Sequence, residues 1–342
     1  MKIEEFDYHL PTPLIAQYPS SQRGETSLMI LHRQTGVMEH RAFRDITKYL
    51  NSADLLVMNN TRVLPARLVG KKETGGRIEM LLIPSWNGIK GEWKALIKAT
   101  GKVKAGARIQ FEQGLEGEVE EVKDGKGRVR FSPQGEVMDI LQKIGHIPLP
   151  PYIKRGDEPL DKERYQTVFA ERDGSIAAPT AGLHFTHALL QSLKQNGVRT
   201  TTITLHIGIG TFAPVKARDI EDHAMEAEWI EISEETAREI EETKARGGKV
   251  ISVGTTTTRA LESFSDGKGG MKSGKGMTSL FIYPPYRFRV IDGMVTNFHL
   301  PKSTLILLVS AFAGKDLLMK AYQEAIHRRY RFYSYGDAML IL

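Results

Sequence analysis

The order of apolar and polar positions divides the chain into three stretches. In the first, the segment SLMILHRQTGVMEHRAF carries two short apolar or alternating runs around Gln34-Thr35-Gly36, which predicts a β-hairpin. The segment ITKYLNSADLLVMNN then predicts a short helix and a buried strand over residues 54–58. A polar loop that contains Arg62 follows the strand.

Residues 66–133 have a different pattern. Short β-branched runs alternate with turn signals such as Gly75-Gly76 and Asp124-Gly125, which predicts closely spaced strands in a small β-barrel or sandwich. Polar residues of catalytic type are scarce in this stretch, so we expect a binding or spacer module. The proline-rich segment GHIPLPPYIKRGDEP closes it and is typical of an extended interdomain linker.

The third stretch alternates predicted strands and helices. Thr186 and Ser233 are placed to cap helices, and strand-like runs such as KVISV lie between the helical segments. This alternation predicts an α/β fold with helices packed on a mostly parallel or mixed sheet. We expect residues 1–62 and 153–342 to form one α/β body, with residues 63–152 inserted as an all-β, barrel-like domain.

Composition narrows the classes of function. The chain has 342 residues and no cysteine, which excludes thiolate zinc sites, Cys-ligated iron–sulfur clusters and Cys nucleophiles. The longest apolar run, residues 305–313, is too short to cross a membrane, and no secretory signal is visible, so we expect a cytoplasmic protein without membrane contact. The formal net charge of +6 suits a polyanionic partner, although a solvated basic surface is the alternative.

Residues of catalytic type cluster at the ends of predicted strands, where open α/β sheets place their ligands. The first cluster, residues 178–186, contains His184 just before a helix N-terminus, either as an acid or base or as a loop cap. The second, HIGIGTF, begins at His206 and reads G-x-G-x-x-A, a weak dinucleotide fingerprint with Glu228 twenty residues after Gly208. Because Pro214 interrupts it, NAD is a poor fit. No spacing of these residues predicts a metal site.

Three further clusters have polar or aromatic character. GTTTTR places hydroxyl residues and Arg259 at a helix start, which favours an anion site, with an ordinary helix cap as the alternative. TNFHLPKST offers Phe298 for stacking on a base and Asn297 for reading a base edge, or else a buried Asn–His pair. The C-terminal segment HRRYRFYSYGD interleaves basic and aromatic residues, as single-stranded nucleic acid or tRNA would require, or forms a bland helix end.

Taken in order, several segments resemble the family of S-adenosylmethionine:tRNA ribosyltransferase-isomerases of queuosine biosynthesis. They are LIAQYP, NNTRVLPARL, PLPPYI, ERYQTVFA, residues 178–186, HIGIGTFAPV, GTTTTRALES, TNFHLPKSTL and YRFYSYGDAMLI. The chain departs from the family pattern at two positions. Glu226 stands where a histidine is common, and Pro285 stands where a glycine is common.

The resemblance implies a reaction and its partners. The ribosyl group of S-adenosylmethionine is transferred to a 7-aminomethyl-7-deazaguanine base at the wobble position of tRNA and rearranged to an epoxycyclopentanediol. Adenine and methionine leave, and the product is epoxyqueuosine-tRNA. S-adenosylmethionine is a substrate, and no metal or redox cofactor is implied. We expect a monomer.

This chemistry assigns expected roles to the clustered residues. A base must remove a proton beside the sulfonium, and neutral imidazoles suit that task; the candidates are His184, His206 and His299. An aromatic face such as Phe212 or Tyr283 suits the sulfonium, and the Thr255–Thr256–Arg259 anion site suits the methionine carboxylate. The full set of expected substrate-binding residues is Thr180, Gly182, Gly208, Gly210, Thr211, Phe212, Thr255, Thr256, Arg259, Tyr283, Asn297 and Phe298. The expected RNA-binding residues are Arg62, Arg328, Arg329 and Arg331.

Two other classes of protein stay open at this point. An NAD-dependent oxidoreductase built on the G-x-G-x-x-A run predicts binding of nicotinamide. A non-enzymatic RNA-binding module predicts salt-sensitive tRNA binding without consumption of S-adenosylmethionine. The gathering of His, Asn, Thr and Gly at strand ends argues against a pure binder, which needs no such constellation.

Overall fold

The computed structural model describes residues 1–84, 92–133, 137–212, 215, 217–268 and 270–342, with only the backbone described for Glu92, Thr211 and Phe212. The strands are β1 Ser27–Leu31, β2 Met38–Ala42, β3 Leu55–Asn59, β4 Thr61–Val63, β5 Arg67–Lys72, β6 Arg77–Ile83, β7 Glu92–Ala99, β8 Arg108–Gln110, β9 Glu116–Lys123, β10 Lys126–Ser132, β11 Arg172–Ser175, β12 Arg199–His206, β13 Glu228–Ile232, β14 Val250–Val253, β15 Gly274–Thr278, β16 Gly293–Asn297 and β17 Ala338–Ile341. The α-helices are α1 Val137–Ile144, α2 Pro159–Arg164, α3 His187–Gln195, α4 Glu234–Ala245, α5 Thr255–Ser263, α6 Thr304–Ala313 and α7 Lys315–His327.

A nine-stranded sheet forms the body, in the order β15-β13-β12-β3-β14-β16-β17-β1-β2. The four neighbouring strands β12, β3, β14 and β16 are parallel to one another. Antiparallel pairs lie at both ends of the sheet and between β16 and β17. The α/β prediction is therefore confirmed, and the sheet is mixed rather than mostly parallel, because antiparallel strands extend the parallel centre on both sides.

Burial on both faces explains why the central strands read as continuous apolar runs. Along β3, Leu55 and Val57 belong to one hydrophobic cluster, whereas Leu56 and Met58 belong to the cluster on the opposite face. The predicted strand 54–58 is thus displaced by one residue. The predicted hairpin near Gln34 is present as the antiparallel pair β1–β2.

Side-chain caps fix the starts of several helices. Thr186 accepts a hydrogen bond from the amide of Leu189 at the start of α3, and Ser233 does the same for α4 with Thr236. Such caps satisfy amides that the helix itself leaves without a carbonyl partner. Both caps were predicted from the sequence, and they orient the helices that cover the sheet.

A closed antiparallel barrel lies between β4 and α1 in the chain, with the strand order β10-β7-β6-β5-β8-β9. Alternation along β6 illustrates how it forms, because Ile78, Met80 and Leu82 are fully buried while the residues between them are not. The barrel interior is filled by apolar side chains of its own cluster. The barrel-like module was predicted, but the boundaries at 62/63 and 152/153 stay a prediction.

The proline-rich segment after the barrel is packed rather than loose. Asp157 accepts hydrogen bonds from Arg67 of β5 (2.5 Å) and from the amide of Ile147 (3.0 Å). Asp161, fully buried, accepts two from Arg155 (2.7 and 2.9 Å). The ion pair with Arg67 holds the segment against the barrel, and the pair between Arg155 and Asp161 ties it to α2.

Candidate active site

The carboxyl ends of the four parallel strands bring polar residues together at one edge of the sheet. β3 ends at Asn59, β12 at His206 and β16 at Asn297, while β14 leads through Gly254 into α5. Ligands of α/β sheets bind at this edge because the chain leaves the sheet there and exposes backbone groups and side chains. The gathering predicted from the sequence is therefore present.

A small recess opens at this edge between the start of α5 and the end of β16. Gly254 caps α5 with φ of 92°, a left-handed conformation that favours glycine. Thr255 and Thr256 from the first turn of α5 contribute to its lining. The recess has a volume of about 20 Å³, room for about one water molecule. It is lined by Thr180, Ile207, Thr255, Thr256, Asn297 and His299, among others.

His184 is locked behind the recess rather than exposed in it. Its Nδ1 lies 2.8 Å from the Thr26 hydroxyl, its Nε2 lies 3.0 Å from the Asn297 amide nitrogen, and its ring stacks on Phe43. Burial, together with the nearby Arg331 and Arg23, lowers the pKa of His184 to about 3. The imidazole is therefore neutral, and since both ring nitrogens are engaged, it has no free atom with which to take a substrate proton.

His299 also lies in the buried part of the edge, and it lines the recess. Its Nε2 is 2.7 Å from the Thr296 hydroxyl, and its backbone amide donates to Tyr322 (2.9 Å). Burial lowers the pKa of His299 to about 3. His299 is thus a neutral group in contact with the recess.

His206 lies in a different space, a cleft of about 1020 Å³ between the body and the barrel. Its Nδ1 is 2.7 Å from the Thr61 hydroxyl, and its ring stacks on Trp229 with centroids 5.0 Å apart. Burial, and to a lesser extent Arg172, lowers the pKa of His206 to about 4. A neutral imidazole is therefore held in a fixed orientation at the wall of a large cleft.

The cleft has walls from both parts of the chain. The barrel contributes charged residues including Lys94 and Lys126, and the body contributes Gly208 and Glu226. Lys126 and Glu226 form an ion pair across the cleft, at 3.5 Å. Ile207 lines both the cleft and the recess, so the two spaces are adjacent. A volume of this size accommodates a nucleoside-sized ligand.

The anion site expected from Thr255, Thr256 and Arg259 is not assembled as predicted. Arg259 points away from the recess, where it forms a buried ion pair with Glu228 and donates to the carbonyl of Leu280 (3.1 Å). A buried guanidinium requires such a partner, because an isolated charge is very costly in the interior. Thr255 and Thr256 do line the recess, so only the helix start remains of the predicted site.

The three glycines that were predicted to bind substrate each have a different structural environment. A Cβ on Gly182 would lie 2.7 Å from Phe169 and Thr167, so this glycine permits close packing. The amide of Gly208 donates to Glu228 (2.9 Å), and Gly208 lines the cleft. A Cβ on Gly210 would lie 3.2 Å from Glu226.

The backbone after Gly208 contradicts the hypothesis of a dinucleotide-binding fingerprint. It forms a 3-10 turn over Ile209–Phe212, whereas the fingerprint requires a glycine-rich turn that opens an α-helix. Glu228 is bound to Arg259 and to the amide of Gly208, not held ready for a ribose hydroxyl. The side chains of Thr211 and Phe212, both predicted to bind substrate, lie outside the described part of the chain.

The aromatic residues proposed for stacking behave differently from expectation. Phe298 is fully buried and packs against Tyr322, Tyr330 and Phe332, so no base can stack on it in this structure. Tyr283 is partly exposed and contacts Phe281, but it lines neither the cleft nor the recess. The alternative, a buried Asn–His pair, is present. Asn297 is hydrogen-bonded to His184, however, and not to His299 of its own segment.

The arginines predicted to bind RNA are spread over the body. Arg62, Arg328 and Arg329 are exposed, and Arg328 pairs with Glu324 at 2.5 Å. Arg331 is half-buried and donates to the carbonyls of Tyr18 and Tyr335. The aromatic residues of this C-terminal segment are all buried, so the segment offers charge to RNA but no stacking faces; they are Tyr330, Phe332, Tyr333 and Tyr335.

Sequence reasoning missed the residues that hold the histidines. Thr26 and Thr61 fix the Nδ1 edges of His184 and His206, and neither threonine lies near its histidine in the sequence. Asn59 binds both the amide (3.0 Å) and the carbonyl (2.9 Å) of Leu205. The NNTR segment was the one available signal for Asn59 and Thr61, because polar residues directly after a buried strand are costly unless they are bonded.

Within the described residues, no group of three or more His, Asp or Glu side chains is arranged to hold a metal ion. No helix among them is long and apolar enough to cross a membrane.

Comparison with known proteins matches the whole chain. The profile of a family described as "Queuosine biosynthesis protein" matches residues 3–341. The S-adenosylmethionine:tRNA ribosyltransferase-isomerase of Halothermothrix orenii is similar to this chain, with 52% identity and 100% of both chains covered. The protein of the same name from a Thermoanaerobacter species is 50% identical with the same coverage. A crystal structure of an S-adenosylmethionine tRNA ribosyltransferase from Thermotoga maritima matches with 40% identity and a TM-score of 0.57, covering 99% of this chain and 100% of that one.

Proposed function

Because the chain belongs to the queuosine biosynthesis protein family, we propose that it is an S-adenosylmethionine:tRNA ribosyltransferase-isomerase. The observation that carries this proposal is the cleft of about 1020 Å³ between body and barrel, with a neutral, oriented His206 in its wall. Its substrates are S-adenosylmethionine and tRNA with 7-aminomethyl-7-deazaguanine at the wobble position. The products are epoxyqueuosine-tRNA, adenine and methionine.

His206 is the base that removes the proton beside the sulfonium. An imidazole that is already neutral accepts a proton without first losing one. Thr61 and Trp229 support this role because they fix the ring from one edge and one face. His184 and His299 are less suited, since they lie in the buried network behind the cleft.

The sulfonium and the leaving adenine impose further demands. A cation is stabilised by an aromatic face, and Phe212 is the residue proposed for it. Tyr283, the other candidate from the sequence, lines neither the cleft nor the recess and is therefore less suited. Departure of adenine requires hydrogen bonds or a proton on the leaving base, by analogy with glycosidic cleavage. No metal or redox cofactor is needed for either step.

The tRNA is held mainly through its phosphates. The net charge of +6 and exposed residues such as Arg62, Arg328 and Arg329 supply the positive field. The modified base leaves the anticodon stack and enters the cleft, as happens in other enzymes that act on a base. A cytoplasmic location and a monomeric state stay predictions from the sequence.

The test is an incubation of the purified protein with S-adenosylmethionine and tRNA that carries the aminomethyl-deazaguanine base. We expect release of adenine together with a nucleoside mass gain equal to the epoxycyclopentanediol. Matched tRNA with guanine at the wobble position is the control and is expected to give neither signal. Salt-sensitive tRNA binding by folded protein without adenine release would instead favour a non-enzymatic RNA-binding module.

A further inference from the structure

One buried polar atom at the strand edge has no hydrogen-bond partner among the described residues. Asn297 is 2% exposed, it lines the recess, and its Oδ1 accepts no hydrogen bond from any residue that the structure describes. A buried acceptor left unsatisfied costs free energy, and in native proteins such an atom commonly serves a ligand or an ordered water. Asn297 Oδ1 therefore marks the recess as a site for a hydrogen-bond donor.

The orientation of the Asn297 side chain is fixed by its surroundings. Its Nδ2 faces three acceptors, which are Nε2 of His184 (3.0 Å) and the carbonyls of Tyr333 (3.2 Å) and Asp337 (3.4 Å). Rotating the amide by half a turn would set its oxygen against two carbonyl oxygens. The donor side is thus held towards the core, and Oδ1 is left for the recess.

His184 completes this arrangement. Since an amide nitrogen only donates, Nε2 of His184 accepts from Asn297, and Nδ1 then carries the proton and donates to Thr26. The ring is 3% exposed and stacks on Phe43. His184 therefore acts on the recess only through Asn297.

The start of α5, which also lines the recess, suits a negative group. Thr255 and Thr256 form the first turn of α5, a helix of nine residues. The first amides of a helix have no carbonyl partner within it and carry a partial positive charge. The recess thus combines the Asn297 acceptor with the donors of the helix start, and this pair of groups is complementary to an ammonium and a carboxylate on one carbon.

We infer that the recess binds the amino-acid end of S-adenosylmethionine, with its α-ammonium donating to Asn297 Oδ1 and its α-carboxylate at the amides of α5. His184 is a positioning residue that orients the Asn297 carboxamide. This inference rests on the proposed function for the identity of the ligand. The recess now has room for about one water, so the amino-acid head widens it on entry past Ile207, which borders the cleft as well.

The test compares ligands on the unmodified protein first. Dissociation constants are measured by calorimetry for S-adenosylmethionine and for its deaminated analogue, which lacks only the α-ammonium. We expect at least about tenfold weaker binding of the analogue, the loss expected for one charge-assisted hydrogen bond. Equal affinities would overturn the inference without any variant having to fold.

Variants then locate the contact. Asn297→Ala is expected to weaken S-adenosylmethionine by about tenfold or more and to leave the analogue unchanged, which closes a thermodynamic cycle. Asn60→Ala is the matched control, because Asn60 is also buried but bonds to Glu171 and Thr204 instead. An equal loss for both ligands in Asn297→Ala would contradict the contact.

The positioning role of His184 has its own readout. His184→Gln retains an acceptor for the Asn297 amide, so we expect it to keep most of the affinity for S-adenosylmethionine, whereas His184→Ala raises KM with a smaller effect on kcat. Equal loss of kcat in both variants would overturn the role. If the unmodified protein releases adenine but does not distinguish the two ligands, only this inference fails; if it neither binds S-adenosylmethionine nor releases adenine, the proposed function fails with it.

Discussion

The body and the barrel use polar residues in opposite ways. At the carboxyl edge of the body sheet, His184, His206, His299 and Asn297 are all buried and tied to specific partners. In the barrel the interior is apolar, and charged residues such as Arg128 and Glu120 pair on the outer surface at 3.3 Å. One region holds polar groups in fixed positions, and the other displays them to solvent.

The difference follows from the kind of strand. Parallel strands covered on both faces leave no polar face, so polar side chains collect where the strands end. Antiparallel barrel strands alternate, so every second residue faces water. Polar side chains in fixed positions therefore lie in the body, whereas the barrel forms one wall of the cleft and a charged outer surface.

The largest effect is expected at His206. We expect His206→Asn to lower kcat for adenine release by about 10²–10⁴-fold, the usual contribution of a general base, while the new amide can still bond to Thr61. The measurement is adenine release at saturating substrates. The control is His9→Asn, at an exposed histidine. Undiminished turnover in His206→Asn would show that His206 does not take part in the proton transfer.

The next effect concerns the buried ion pair of the body. Glu228→Gln leaves Arg259 charged and buried without its counter-ion, so we expect the free energy of unfolding to fall by about 3–5 kcal/mol. Urea denaturation measures it. Glu231→Gln on the same strand breaks a partly exposed pair with Lys275 (3.0 Å) and is expected to cost at most about 1 kcal/mol. Similar losses in both variants would contradict the distinction between buried and exposed charge.

A pH dependence of stability should also come from the body. The pKa values of His184 and His299 are lowered to about 3 and that of His206 to about 4, below the ordinary value near 6.5. As pH falls below about 6.5, these histidines become protonated in the unfolded chain but stay neutral in the folded protein. The free energy of unfolding therefore decreases between about pH 6.5 and 3. Each histidine contributes a slope of up to about 1.4 kcal/mol per pH unit.

Urea denaturation at pH 6 and pH 5 measures this slope. His184→Gln removes one of the three groups, so its stability should fall less steeply than that of the unmodified protein over the same interval. Equal slopes in the two proteins would mean that His184 titrates alike in the folded and unfolded states.

The smallest effect is expected on the barrel. Arg130→Ala removes a surface ion pair with Glu120, and such pairs contribute about 0–1 kcal/mol. The free energy of unfolding should change within that range, and adenine release should not change. A decrease in the free energy of unfolding as large as that of Glu228→Gln would show that ion pairs on the barrel surface contribute as much to stability as the buried pair of the body.

Much of the architecture could be predicted from the sequence. The hairpin near Gln34, the caps at Thr186 and Ser233, the α/β body and the inserted β-barrel all follow from local periodicity and short-range hydrogen bonding. The strand order of the sheet did not follow, because β17, at the C-terminal end of the chain, lies between β16 and β1 and pairs with β1 near the N-terminal end.

The candidate site was predicted in part. Strand ends carrying His206, Asn297 and the first turn of α5 do meet at one edge, as their positions after buried runs indicated. The role of Arg259 was not foreseeable, since its partner Glu228 lies 31 residues earlier on another element. The burial of Phe298 among other aromatic residues could not be predicted either. An aromatic residue in the sequence is equally compatible with a hydrophobic core and with a surface that stacks on a base.

The sequence alone determined which residues carry chemistry and which segments form strands, helices and turns, since those properties depend on side-chain type and on neighbours a few positions away. The tertiary structure decided which histidine faces a cleft, which one is locked behind Asn297, and where the guanidinium of Arg259 points. Those outcomes depend on contacts such as Thr26 with His184, 158 residues apart. Burial and hydrogen-bond partners exist only once distant segments are packed together.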